Sequence, residues 1–214
     1  MTELQTRKAI IATCLKMESL GINQGTSGNI SHRWREGILI TPSGIPYDRL
    51  KPDDIVYVPF ADRNAPQGKH APSSELDFHF DILQAKPEVN CVLHNHSPHA
   101  TSMAIVGMEI PAHHYMVAAA GGHKIPCAEY ATFGTPQLSA NILKALEGYT
   151  ACLLANHGVV TVAADLDKAL WLAVEVENLA RQYILASQIG TPNILSDEEM
   201  DIIVEKFKSY GLKK

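Results

Sequence analysis

The sequence predicts an α/β fold: a single domain over residues 1–214 with a largely antiparallel or mixed central sheet flanked by helices. Three observations carry that expectation. Strand-like and helix-like periodicities interleave along the chain. Many of the connections between successive strands are short turns, which suit antiparallel neighbours rather than the crossovers of a doubly wound parallel sheet. No repeat, low-complexity tract or long linker divides the chain.

The elements follow in order. Thr2 and Gln5 have the spacing of a capping box, and Ile10, Ile11, Cys14 and Leu15 mark the apolar stripe of a first helix ending near Gly21. Strands are expected over 30–34, 38–41 and 55–60, the first two joined by a turn at Gly37. Residues 61–71 lack apolar periodicity and carry Pro66 and Gly68, as a surface loop would. Ser73 or Ser74 should cap a helix bearing Leu76, Phe80 and Leu83. The run Cys91-Val92-Leu93 reads as a strand ending at His96, and Pro98 opens the next helix. Helices over 111–120 and 136–147 precede a strand pair at 151–155 and 159–163. Asp165 caps a long helix to about Gln188, and Ser196 caps a last one.

Composition narrows the functional classes. With 46% hydrophobic and 19% charged residues, the chain can fill one sizeable core. The net charge is −5 and no long Lys/Arg block occurs, so nucleic acid is not an expected partner. No apolar stretch reaches the ~18 residues of a membrane span. Glu3, Arg7 and Lys8 sit inside a helical pattern at the N-terminus, unlike a signal peptide. Cys14, Cys91, Cys127 and Cys152 are scattered and mostly in apolar contexts, which suits reduced thiols in a cytoplasmic protein.

The chemistry concentrates in Glu75 of Ser73-Ser74-Glu75, in His94 and His96, and in His157 of Asn156-His157-Gly158. Three imidazoles and a carboxylate match the ligand set of a catalytic Zn²⁺, with room for a substrate oxygen. On a strand, residues two apart share a face, so His94 and His96 point the same way. With ten histidines in the chain, one His-x-His arises by chance at roughly even odds, so the pair alone also fits partly exposed histidines at a strand end. The Ser-Ser-Glu before a helix and the His-Gly turn favour the metal site.

Three loops are rich in small residues whose amides can approach a ligand: Gly25-Thr26-Ser27-Gly28-Asn29, Thr41-Pro42-Ser43-Gly44 and Ser73-Ser74. Ser73 and Ser74 also stand at a helix start, where an anion is favoured. None of these loops contains Lys or Arg, so a phosphate there would be held by neutral donors. Ordinary turns are the alternative for each loop taken alone.

In these motifs the chain resembles the class II sugar-phosphate aldolases of the fuculose aldolase/ribulose-phosphate epimerase superfamily. The likeness runs through Asn23-Gln24-Gly25-Thr26, Gly28-Asn29, Gly44-Ile45-Pro46-Tyr47, Pro72-Ser73-Ser74-Glu75, His94-Asn95-His96, His114-Tyr115-Met116, Tyr130-Ala131-Thr132-Phe133-Gly134-Thr135 and His157-Gly158 to the tail Phe207-Lys208-Ser209-Tyr210-Gly211-Leu212. It implies the class II aldolase/adducin-like fold, with a mixed, mainly antiparallel central sheet, and a homotetramer with active sites between subunits. One Zn²⁺ per subunit would be bound by Glu75, His94, His96 and His157. Gly28, Asn29, Ser43, Gly44, Ser73 and Ser74 would hold the substrate phosphate. Glu75 and Tyr115, the latter from the adjacent subunit, would be the acid/base pair, and Phe133, Phe207 and Tyr210 would line the aldehyde end. Ser43 departs from a familiar threonine but keeps the hydroxyl.

The implied reaction is retro-aldol cleavage of a deoxy-ketose 1-phosphate to dihydroxyacetone phosphate and a small aldehyde such as lactaldehyde. The sugar would be L-fuculose 1-phosphate, or 5-deoxyribulose or 5-methylthioribulose 1-phosphate. Opening a carbon–carbon bond beside a carbonyl leaves charge that a Lewis acid can stabilise. No lysine stands among the histidine, glutamate and glycine-loop motifs to offer a Schiff base instead. A related epimerase would carry Asp at the position of Glu75, a dehydratase would keep the carbon chain, and an adducin-like scaffold would lack the ligand set. Read without the resemblance, Glu75 also fits a first-turn helix carboxylate, Tyr115 a packing tyrosine, and Phe207 and Tyr210 the packing of a last helix. His113 and His114 are expected to be structural or exposed.

Overall fold

The N-terminal capping box forms as its spacing requires. The Thr2 amide donates to Gln5 Oε1 at 2.7 Å and the Gln5 amide to Thr2 Oγ1, and α1 (Glu3–Ser19) begins there. Gly21, at φ +70°, then turns the chain away in the left-handed region. The computed structural model describes residues 1–207.

The described residues contain β1 (Asn29–Trp34), β2 (Gly37–Ile40), β3 (Val56–Pro59), β4 (Cys91–Asn95), β5 (Cys127–Ala128), β6 (Ala151–Leu154) and β7 (Gly158–Ala163). They make one sheet in the order β3-β2-β1-β4-β7-β6-β5. Every neighbouring pair is antiparallel except β5 and β6, so the sheet is mixed and mainly antiparallel, as expected. The helices are α2 (Leu76–Ala85), α3 (Pro98–Ile105), α4 (Pro136–Ala145), α5 (Leu166–Ile189) and α6 (Asp197–Phe207).

Strand alternation assigns the two faces. Ile38, Ile40, Val92, Val160 and Val162 join one core with Phe78, Ile82 and Leu83 of α2 and Ile142 of α4. Leu39, Cys91 and Leu93 point the other way, to Ile10 and Met17 of α1 and Ala173 of α5. A third cluster packs α3, α5 and α6 around Val117 and Leu153. Burying each such aliphatic side chain contributes roughly 1.5–3 kcal/mol, so both sheet faces require helical cover. β4 is therefore central and apolar on both sides until its C-terminal end, where polar residues begin.

Several boundaries differ from the sequence expectation. The first hairpin turns at Arg35 (φ +49°) rather than at Gly37, which pairs with Trp34 and lies where a Cβ would strike Val58 of β3. Neither Ser73 nor Ser74 caps α2. Glu75 occupies the cap position, and its amide donates to Ser73 Oγ at 3.2 Å. Over 111–120 there is no α-helix: only Tyr115–Ala120 coils, as a 3-10 turn, because the His113 amide is tied to the Pro111 carbonyl and the His114 ring accepts the Met116 amide. β5 was not foreseen, being two residues long. Asp165 and Ser196 do cap α5 and α6, accepting amides from Lys168 and Glu199. The four cysteines are free, and Cys14, Cys91 and Cys152 are buried. No helix among the described residues is long and apolar enough to cross a membrane.

Candidate active site

The polar end of β4 delivers the first histidines. His94 is fully buried and meets the Phe78 ring edge-on at 5.6 Å. Its Nδ1 lies 2.9 Å from the Val159 carbonyl and donates to it, which leaves the Nε2 lone pair facing the site. That atom stands 2.9 Å from His96 Nε2 and 3.2 Å from Glu75 Oε2. His96 sits two residues on, one past the strand end, with its amide turned toward Asn23 Oδ1. The β6–β7 hairpin supplies His157, whose Nε2 lies 3.1 Å from Glu75 Oε1. Asn156 precedes it at φ +56°, a conformation asparagine adopts more readily than most residues. Gly158 lets the hairpin close on β4: a Cβ there would lie 2.5 Å from the Asn95 carbonyl and 2.8 Å from His96 Cδ2.

These four groups fit a divalent cation. The ligand nitrogens of His94, His96 and His157 lie within 4.8 Å of one another. Ligand atoms arranged tetrahedrally at zinc-type distances stand roughly 3.3 Å apart, and the 2.9, 3.1 and 3.2 Å separations here are close to that. Burial lowers His94, and lowers His96 to about 4, which disfavours extra protons on these crowded ring nitrogens and leaves them available to a cation. Glu75 Oε1 is buried without an aligned hydrogen-bond donor. Burial pushes the Glu75 carboxyl up, but His94, His157 and the Asn29 amide outweigh it and hold the group well below the usual carboxylate range.

A buried chain of side chains that sequence reasoning missed stands behind Glu75. Asn29 Nδ2 donates to Glu75 Oε2 at 2.8 Å, His79 Nε2 bonds Asn29 Oδ1, and Ser31 Oγ lies 2.7 Å from His79 Nδ1. Burial lowers His79 to about 3 and keeps it neutral. The available signal was the spacing of Glu75 and His79, one helical turn apart. Asn23 was also missed as a brace: its amide donates to the Tyr47 hydroxyl, which donates to the Gly28 carbonyl.

The predicted loops converge beside the histidines around a cleft of about 330 Å³. Gly28, Asn29, Ser43, Gly44, Ser73, Ser74, Glu75, His96, His157 and Phe133 all line it, and no lysine or arginine does among the described residues. Gly28 is fixed by close approach, since a Cβ would sit 2.7 Å from the His94 carbonyl. Not every polar group is free for a ligand. The Ser43 amide is bonded to the Ala71 carbonyl, and both ends of the Asn29 side-chain amide are engaged. Phe133 and Tyr130 form an exposed aromatic rim.

Two predicted residues lie elsewhere. Tyr115 is half exposed, stacked on His114, and does not line this cleft. Phe207 packs against the α3–α5–α6 cluster and borders a groove with Trp171. Tyr210 lies outside the described residues. His113 and His114 are structural: His113 bonds the Pro111 carbonyl and meets Tyr183, and His114 caps the 3-10 turn.

Comparison with known proteins gives a consistent picture. Residues 8–184 match the family described as Class II Aldolase and Adducin N-terminal domain. The chain is 50% identical over 211 residues to the L-fuculose phosphate aldolase of Escherichia coli, covering 96% of this chain and 95% of the relative. It is 47% identical over 210 residues to the 5-methylthioribulose-1-phosphate/5-deoxyribulose-1-phosphate aldolase of Rhodospirillum rubrum, covering 98% and 94%. Among solved structures, an L-fuculose 1-phosphate aldolase superposes with a TM-score of 0.90 at 38% identity, covering 94% of this chain and 95% of the other.

Proposed function

The chain belongs to the Class II Aldolase and Adducin N-terminal domain family, and on that premise we propose that it is a lyase cleaving a deoxy-ketose 1-phosphate to dihydroxyacetone phosphate and a small aldehyde. The observation that carries this reading is the juxtaposition of Glu75, His94, His96 and His157 at one end of a polar cleft. The substrate is L-fuculose 1-phosphate, or a 5-deoxyribulose or 5-methylthioribulose 1-phosphate. Relatives acting on both kinds stand at 50% and 47% identity. Telling such aldehyde ends apart by apolar contact is worth only about 1–3 kcal/mol, so overlapping activities are expected.

The donor set, three imidazoles and a carboxylate, suits one Zn²⁺ per subunit. Bound there, it would supply Lewis-acid stabilisation of the negative charge that develops as the carbon–carbon bond opens. The protein's own groups do the rest. Ser43, Gly44, Ser73 and Ser74, with the Gly28–Asn29 backbone and the start of α2, bind the phosphate through neutral donors and the helix dipole. That remote contact fixes the reacting carbons at the cleft floor. Glu75 carries the proton at C3, and Tyr115 of the neighbouring subunit exchanges one with the aldehyde oxygen. Phe133, Phe207 and Tyr210 shape the aldehyde end of a site completed between subunits. The working form is a cytoplasmic homotetramer.

The test is product analysis. The metal-loaded protein is incubated with each ketose 1-phosphate, and dihydroxyacetone phosphate is followed through a coupled reductase. Release from at least one sugar, abolished by complete chelation and restored by Zn²⁺, is expected. Epimerised or dehydrated products with the carbon skeleton retained would overturn the reaction, and activity surviving full metal removal would overturn the metal's role.

A further inference from the structure

Behind Glu75, the polar chain through Asn29 to His79 and Ser31 runs entirely within the protein. Asn29 is 5% exposed, and His79 and Ser31 are fully buried. The proton arrangement along it has one solution. A carboxylate accepts only, so the Asn29 group facing Glu75 Oε2 at 2.8 Å is its NH₂ and the group facing His79 is its carbonyl. The His79 nitrogen meeting that carbonyl, Nε2, therefore carries the proton. Nδ1 is left to accept from the Ser31 hydroxyl at 2.7 Å.

We propose that His79 is a positioning residue. Held by Ser31 in its Nε2–H tautomer, it locks the Asn29 amide so that the NH₂ aims at Glu75 Oε2 and fixes the carboxylate against the three histidines. This rests on the function proposed above. The alternative is a core histidine that merely satisfies its own hydrogen bonds. Against it, the ring stacks on Phe78 in an otherwise apolar part of α2. There a Leu or Phe would pack without needing either partner. The polar path it opens also leads to Glu75 and ends at a buried serine. Asn29 could otherwise rotate its amide and present a carbonyl to the carboxylate, which would repel it.

The experiment compares His79→Leu with His79→Gln, whose amide can donate from the place of Nε2. Three quantities are read: kcat, KM for the ketose 1-phosphate turned over, and zinc affinity by chelator competition. His79→Leu should lose about 10–100-fold in kcat and about tenfold in zinc affinity, with KM moved less than about threefold. His79→Gln should recover most of both losses. Wild-type kcat and zinc affinity in His79→Leu, or equal impairment of both variants, would overturn the proposal. Should His79→Leu fail to fold, Ser31→Ala takes its place. Removing the hydroxyl releases the tautomer and should lower kcat several-fold at constant KM, and an unchanged kcat would overturn the proposal. If the wild type cleaves no ketose 1-phosphate, the aldolase reading fails by itself. The positioning role is then judged on zinc affinity alone, and equal values in all variants would overturn it.

Discussion

Glu75 is the residue on which the site turns: buried, ionised, and in contact with two of the three histidines. Glu75→Gln keeps the shape and removes the charge and the proton-carrying capacity. It should cut kcat by about 10²–10⁴-fold, with a much smaller change in the binding of phosphate-bearing inhibitors, measured by steady-state kinetics and titration. The buried histidines also set the acid behaviour of the metal-free protein. His79 is lowered to about 3 and His96 to about 4 from an ordinary value of 6.5, and His94 is lowered too. Below pH 6.5 the unfolded chain therefore binds more protons than the folded one. Stability is fully present above that pH and falls toward pH 4, by at most about 1.4 kcal/mol per pH unit for each such group. The low-lying Glu75 adds to acid lability only below its unfolded value of 4.5. Urea unfolding of chelator-treated protein at pH 7, 6 and 5 should show the decline. A flat profile would mean that these rings are not held neutral in the fold.

At the scale of elements, the site is a meeting of strand ends. β4 ends beside the β6–β7 hairpin, and the entry to α2 brings Glu75 over both. The closeness of that meeting depends on two glycines. Gly158→Ala would press a methyl group onto the Asn95 carbonyl and the His96 ring, and must shift the hairpin. A cost of about 1–3 kcal/mol in unfolding free energy is expected, with weakened zinc retention. Denaturant melts read against zinc content by atomic absorption check it. A variant of unchanged stability and full zinc occupancy would show that the hairpin has slack. Gly28→Ala faces the same obstacle at the His94 carbonyl.

At the scale of the whole molecule, Tyr115 and Phe207 stand away from the cleft of their own chain, while Phe133 stands at its rim. The proposal that Tyr115 acts on a neighbour's substrate makes a sharp prediction. Glu75→Gln and Tyr115→Phe protomers, each nearly inactive alone, should regain activity when unfolded together and refolded as a mixture. Some sites would then pair an intact Glu75 with an intact Tyr115. Light scattering should give four times the chain mass. Absence of complementation in a confirmed mixed oligomer would place the second proton carrier within one chain.

The sequence by itself determined the architecture and the inventory of reactive groups. Capping boxes, strand alternation and short turns are local patterns, and local patterns survive in one dimension: Thr2 with Gln5, Asp165 and Ser196 all cap where their spacing says. His94 and His96 were legible as a pair because a strand's period of two is built into its backbone. What only the tertiary structure decided was the company each group keeps. Glu75 is a helix-entry carboxylate in sequence and a partner of two histidines in space. Asn29 reads as a loop residue and proves to be the link between His79 and that carboxylate. The 3-10 turn at Tyr115–Ala120 likewise formed where an α-helix was expected, through a ring–amide bond from His114 to Met116. Such contacts join residues by burial and hydrogen bonding across the fold, and their partners are chosen by how the strands and helices close on one another.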